Sequence, residues 1–319
     1  MRPTISVMMA CYNAEQTLPW ALASLLAQTF EDWEGIFVDD GSTDSSIDVA
    51  TRLGDSRIRA FRLDANRGRG AARQFALEQA RGQYVCMLDA DDWMYPSRLA
   101  TELDFLEAER GVDVVSTGMA ILDRGGNIVG IRGQEPGDKP RLVPRKTVLA
   151  MPRVAFAASM IRARVAKRFR FDTEFRLGED ADFLIQVLLQ HGYAVLNRTT
   201  YAYTEHATVT LEKVLAATRL ARRMFRKYSE QFPIQSRVCS FAALMKSLVY
   251  RGTFAVGRSE WLIQQRSHRP TLAQFAEFQS ARSMVARKVA LVSDKPHSAP
   301  RAGDPSWSRT REPKVVPTR

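Results

Sequence analysis

The chain has 319 residues, 45% hydrophobic and 25% charged, which suits a globular protein with one main domain and an appendage. Cys11, Cys86 and Cys239 are widely spaced with no CxxC pair, which points to buried thiols in a reducing compartment and gives no support to a disulfide framework. Without a run of 18 apolar residues or an apolar leader, the reading is a cytoplasmic protein with no signal peptide and no transmembrane segment.

Residues 5–10 form a short apolar run that predicts a first strand. Residues 14–28 set Leu18, Leu22, Leu25 and Leu26 on one helical face. A second strand at 35–38 runs into Asp39, after which Ser42, Thr43, Asp44 and Ser45 offer N-caps for a helix reaching 53. A strand at 58–61 precedes the loop Asn66-Arg67-Gly68-Arg69-Gly70, a helix at 71–80 and a strand at 84–88. Strands alternating with single helices predict an α/β fold with a mostly parallel sheet covered on both faces. The ligand crevice of such a sheet lies beyond the carboxyl ends of its strands.

Farther along, a helix is expected at 96–109, a buried strand at 112–117 and an edge strand at 127–131. Residues 133–152 are rich in Gly, Pro and charge and predict a mobile loop beside the site. A strand at 155–161, a helix at 180–190 and weaker strands at 193–196 and 199–203 follow. Helices are then predicted at 211–228, 237–250, 252–265 and 271–292. The domain plan is a catalytic domain over 1–210, a basic helical region over 211–292 and a disordered tail over 293–319.

Charge follows the same division. Residues 1–210 hold 25 Lys and Arg against 28 Asp and Glu, whereas residues 211–319 hold 21 against 7. The basic part has no aromatic-interleaved platform or zinc spacing, which argues against nucleic acid as the partner. Its first helix, with Leu211, Val214, Leu215, Ala221, Met224, Phe225 and Tyr228 on one stripe, suits either of two roles. It can lie on anionic lipid as a peripheral membrane contact, or pack on the catalytic domain with its cations in water.

Chemistry concentrates where strands end in acids. Tyr84-Val85-Cys86-Met87-Leu88 runs into Asp89, Asp91 and Asp92, and Ile36-Phe37-Val38 into Asp39 and Asp40. Crowded carboxylates at a buried strand end repel one another and resist desolvation, so they face a cleft, a cation or a donor-rich ligand. Asp89 and Asp91 could offer hard oxygens to Mg2+ or Mn2+, whose other positions water and phosphate oxygens fill. Asp39 could accept from the N–H of a uracil ring, with Asp40 or Ser42 holding its loop.

Ser6-Val7-Met8-Met9-Ala10-Cys11-Tyr12-Asn13-Ala14, Gln28-Thr29-Phe30, Val38-Asp39-Asp40-Gly41-Ser42-Thr43-Asp44, Asn66-Arg67-Gly68, Ala72-Arg73 and Leu88-Asp89-Ala90-Asp91-Asp92 together resemble the successive signatures of glycosyltransferase family 2. The resemblance spans roughly residues 4 to 210. It implies a GT-A fold, a Rossmann-like nucleotide-sugar-binding domain, followed here by a small α-helical C-terminal region, and inversion at the anomeric carbon. By position it implies that Ala10, Tyr12 and Asp39 line the nucleoside pocket, with Arg67 and Arg73 near the base or phosphates. Asp89 and Asp91 would hold the ribose and the metal-bound diphosphate. Asp180, in Gly178-Glu179-Asp180, would be the catalytic base, and His206 a phosphate or metal contact. Two positions depart from the family pattern: Thr204 stands for its usual arginine, and Arg170 for the glycine often found before Phe171-Asp172.

The expectation is therefore a metal-dependent inverting transferase in surface polysaccharide synthesis. It would move sugar from a nucleotide-sugar donor, a UDP-sugar, to a glycan or lipid-linked acceptor. A catalytically degenerate sugar-nucleotide-binding or scaffold protein is the alternative. Trp93 reads equally as a sugar-stacking ring or a core residue, and the oligomeric state is not legible.

Overall fold

A computed structural model describes residues 2–134, 137, 139–145, 148–205, 210–256, 267–293 and, as backbone, 314–316. Six parallel strands form the frame: β1 (Ile5–Cys11), β2 (Trp33–Asp39), β3 (Ile58–Arg62), β4 (Tyr84–Met87), β6 (Val114–Leu122) and β10 (Tyr193–Thr204). Between β4 and β6 runs the antiparallel β9 (Ser159–Arg162). The edges are β5 (Trp93–Met94) beside β10 and β11 (Lys314–Val316) beside β3, both antiparallel. The sheet order is β11-β3-β2-β1-β4-β9-β6-β10-β5, with β7 (Ile128–Arg132) on β6 and β8 (Arg141–Val143) on β10.

Helices cover both faces, as the alternation requires. On one face α1 (Leu18–Leu26), α2 (Ser46–Arg52) and α4 (Arg98–Ala108) bury Leu18, Leu22, Ile47, Leu99 and Leu103. On the other, α3 (Arg69–Gln79), α5 (Ala163–Ala166) and α6 (Glu179–Leu188) bury Ala72, Ala76, Val165, Phe183 and Val187. Helix α1 begins four residues later than its apolar spacing suggests. Pro19 occupies its first turn, where the missing N–H is no loss. The two weak strands at 193–196 and 199–203 are one strand, β10, whose register shifts between Val195, Thr199 and Tyr201. Part of the loop expected at 133–152 is β8.

Among the described residues three further helices follow: α7 (Leu211–Lys227), α8 (Pro233–Ala255) and α9 (Leu272–Ser293). The C-terminal end of the α7 stripe packs inward, where Met224, Phe225 and Tyr228 form a cluster with Leu149, Phe175 and Ile185, while Leu211, Val214 and Leu215 are half-buried. Of the two readings of this helix, packing on the catalytic domain accounts for the C-terminal end of the stripe. Helix α9 returns to α1 and buries Phe278 against Trp93 and Tyr95. Trp93, stacked on Tyr95 with centroids 5.4 Å apart, is thus a core residue. Of the tail expected to lack structure, Lys314–Val316 pairs with β3, and 294–313 and 317–319 lie outside the described residues. Most of the helix expected at 252–265 also lies outside them. No described helix is long and apolar enough to cross a membrane.

Candidate active site

Register brings the acidic strand ends together. Cys11 on β1 sits opposite Asp39 on β2, and Met8 opposite Met87 on β4, so three strands end at one rim. Beyond it lies a cleft of about 580 Å³, lined among others by Ala10, Tyr12, Asn13, Asp40, Asn66, Arg69, Asp89, Asp91, Arg176 and Tyr203.

Two loops are laced together beside the cleft. Asn13 adopts a left-handed backbone (φ 50), which asparagine tolerates. Its Oδ1 accepts from the Thr43 N–H at 2.8 Å, and its own N–H donates to Ser42 Oγ at 2.9 Å. Asp40 holds the third loop, accepting at 2.8 Å from each of the Arg67 and Gly68 backbone N–H groups. Burial raises the Asp40 pKa, and these two donors partly offset it. Gly41 permits this approach: its φ is +72, and a Cβ there would lie 2.7 Å from the Ala65 carbonyl carbon.

Asp39 is fully buried at the end of β2 and is not part of the cleft lining. Its Oδ1 accepts from the Ser42 N–H at 3.1 Å. Its Oδ2 faces Arg62 Nε at 3.4 Å but has no hydrogen-bond partner.

The acidic run after β4 divides by environment. Asp92 is buried and accepts from Tyr201 Oη at 3.0 Å and from the Thr204 N–H at 2.8 Å. Burial, and then the charges of Asp89 and Asp91, hold its pKa well above the ordinary carboxylate range. Asp91 is exposed in the cleft. Asp89 lies between, its Oδ1 accepting from Arg73 Nη2 at 2.8 Å.

Arg73 links this run to α6. It is buried, and its Nη1 donates to Glu179 Oε1 at 2.7 Å. Burial disfavours the guanidinium charge, but Asp89, Asp180 and Glu179 outweigh it and push the Arg73 pKa up. Arg69 Nε also reaches Glu179 Oε1, at 3.2 Å. Asp180 follows in the first turn of α6, partly exposed, with its Oδ1 accepting from the Ala181 N–H at 2.8 Å. Gly178 precedes that turn with φ +77.

Of the residues singled out by sequence, Ala10, Tyr12, Asp89 and Asp91 meet in the cleft lining. Arg73 lies beneath it, in contact with Asp89, and Asp180 lies close enough to influence Arg73. The Arg67 side chain is exposed and outside the lining; what it contributes is its backbone N–H to Asp40. His206 lies outside the described residues. Sequence reasoning missed Glu179, Arg69 and Arg176. Glu179 and Arg69 stood inside quoted motifs, but only contact between α3 and α6 gives them a role.

A second cavity of about 910 Å³ shares Asp91 and Tyr203 with the first and extends over Arg132, Met151, Lys213, Val214, Phe225, Ala243, Lys246 and Tyr250. Among the described residues no group of three or more His, Cys, Asp or Glu is arranged to hold a metal ion. The donor set still fits Mg2+ or Mn2+, since such ions take one or two carboxylates and complete their shell with substrate phosphates and water.

A mixed sheet with a parallel frame, a carboxylate-rimmed cleft at its strand ends and C-terminal helices is the arrangement of the GT-A glycosyltransferase fold, which the solved structure named below shares. The Glycosyl transferase family 2 profile matches residues 6–169, more than half of the chain, and the chain belongs to that family. It is 27% identical over 245 residues to the succinoglycan biosynthesis protein ExoU of Rhizobium meliloti, covering 67% of this chain and 68% of that one. It is 34% identical over 106 residues to WfaP of Escherichia coli, named as a UDP-Glc:alpha-D-GlcNAc-diphosphoundecaprenol beta-1,3-glucosyltransferase, covering 33% of this chain and 42% of that one. The S. aureus TarS 1-349 structure in complex with UDP-GlcNAc superimposes with a TM-score of 0.55 at 21% identity, over 90% of this chain and 81% of that one. The chain spans between 42% and 66% of the length of the first curated relatives it matches.

Proposed function

We propose that this chain is an inverting glycosyltransferase that takes sugar from a UDP-sugar and delivers it to a hydroxyl of a glycan or lipid-linked acceptor in surface polysaccharide synthesis. The observation that carries the reading is that Asp91 and Tyr203 are walls of two adjoining cavities. The first, with Asp40, Asp89, Asp91, Arg69 and Arg176 in its wall and bounded by three strand ends, suits the donor. The second, larger and more apolar, suits the acceptor, so transfer would occur where they join.

In the first cavity Tyr12 offers a ring to the base, and Asp39, buried behind the lining with an Oδ2 that has no hydrogen-bond partner, would accept a base N–H if the rim opened to it. Arg69 and Arg176 face the region where diphosphate charge would sit. Asp91, with Asp89 beside it, would hold Mg2+ or Mn2+, and His206 is proposed as a further contact. The bound ion would neutralise charge growing on the departing diphosphate. Asp180 would accept the acceptor hydroxyl proton as the oxygen bonds to the anomeric carbon. As that bond forms, the bond from the same carbon to the diphosphate oxygen breaks, its electron pair leaving with the nucleoside diphosphate. One displacement from the opposite face gives inversion.

Calorimetric titration of UDP, TDP and GDP, each with and without Mn2+, tests the donor site. Mn2+-dependent UDP binding that disappears in Asp91→Ala is the expected result. Folded protein that binds none of the three would overturn the reading, and UDP binding without transfer to any acceptor would favour a degenerate sugar-nucleotide-binding protein.

A further inference from the structure

Helix α8 has two unlike sides. One rests on α7, where Ser236 Oγ donates to the Phe225 carbonyl at 2.8 Å and Ala243 is buried. The other carries Ile234, Val238, Phe241, Met245 and Leu248, which are 73, 60, 62, 43 and 51% exposed. Steps of four and three residues keep these five on one stripe, roughly 20 Å long. A contiguous apolar strip of this length facing water marks an interaction surface.

Charge selects the occupant. Within residues 211–255 nine Lys and Arg stand against two acids, Glu212 and Glu230, and α8 itself has Arg237, Lys246 and Arg251 but no Asp or Glu. Helical spacing sets Arg237 and Arg251 along one border of the stripe and Lys246 beyond the other. A second copy seated there would bring like charges together. An anionic lipid surface would supply the opposite charge beside an apolar layer.

We propose that α8 docks this chain on the surface of an anionic phospholipid bilayer, its stripe at the acyl boundary and its cations among the headgroups. The larger cavity is lined by Ala242, Lys246 and Tyr250 on the opposite side of the same helix, so docking would hold that cavity about one helix diameter from the lipid surface. The inference rests on the lipid-linked acceptor proposed above. Its test reads binding without turnover, so failure of one is distinguishable from failure of the other.

The full chain is sedimented with vesicles of phosphatidylcholine alone, or of phosphatidylcholine mixed with phosphatidylglycerol. The expected result is at least about tenfold stronger partition onto the mixed vesicles, falling about tenfold or more in the double variant Phe241→Asp, Leu248→Asp. Both positions are exposed, so circular dichroism and thermal melting should match the parent chain. Leu272→Asp, at a position 92% exposed and outside α8, should bind as the parent does. Absence of enrichment on the mixed vesicles, or equal binding by the double variant, would overturn the proposal. A parent dimer that the double variant dissolves, with no vesicle binding, would assign the stripe to a second copy instead.

Discussion

Arg73 and Glu179, 106 residues apart in sequence, meet with 2.7 Å between Nη1 and Oε1, both side chains buried. The other arm of the same guanidinium holds Asp89, so one planar cation fixes the acidic strand end against the first turn of α6. Asp89 and Asp180 therefore owe their relative positions to a residue beneath the cleft.

Arg73→Ala would leave Glu179 buried without its strongest partner, and removing one member of a buried pair costs about 3–5 kcal/mol. Chemical denaturation should register a loss of that order. Arg73→Lys, with one compact ammonium, should recover only part of it, because it cannot bridge both carboxylates. Full recovery by lysine would show that charge alone, without the fork, suffices.

Asp180→Asn tests the proposed base. The change keeps shape and removes proton acceptance, so the rate of sugar transfer should fall about 10²–10⁴-fold with donor affinity unchanged. Kinetics and calorimetry on one preparation separate the effects. Equal loss of both would make Asp180 a positioning residue.

Gly41→Ala and Gly178→Ala should differ in stability. Both have positive φ, which costs a non-glycine residue about 1–2 kcal/mol. At Gly41 the added carbon would meet backbone, the Ala65 carbonyl carbon at 2.7 Å. At Gly178 it would meet Leu220 Cδ2 at 2.8 Å, the end of a flexible side chain. Thermal melting should rank Gly41→Ala as the more damaging.

The Arg98–Glu102 pair, fully buried under the sheet at 3.2 Å, gives a pH signature. Burial pushes the Glu102 pKa up from 4.5 to about 7, against the pull of Arg98. In that window the folded chain binds more protons than the unfolded one. The contribution of Glu102 to stability is therefore complete below pH 4.5 and is lost as pH rises through about 7. Urea denaturation across this range should show that slope, and Glu102→Gln, which keeps the shape of the protonated form and cannot titrate, should flatten it.

Much of the site was legible because its information is local. Apolar runs ending in Asp39 and Asp89 place those residues at strand ends, and period alone predicts α3 and α6. Contacts between elements were not legible. Tyr201 bonds to Asp92 across the β5–β10 edge, and Leu99 on α4 shares a core with Phe278 on α9, with nothing in either segment to announce the other.

By itself the sequence determined the alternation of strands and helices, the acidic rim and the basic character of residues 211–319, since period, strand ends and charge are properties of neighbours along the chain. Only the tertiary structure decided that Arg73 rather than Arg67 serves the acidic strand end, that Trp93 is core, and that α7 buries the C-terminal end of its stripe while α8 exposes one. Burial and ion pairing depend on which surfaces meet, and a helix with two apolar faces does not reveal in its own residues which face the fold will cover.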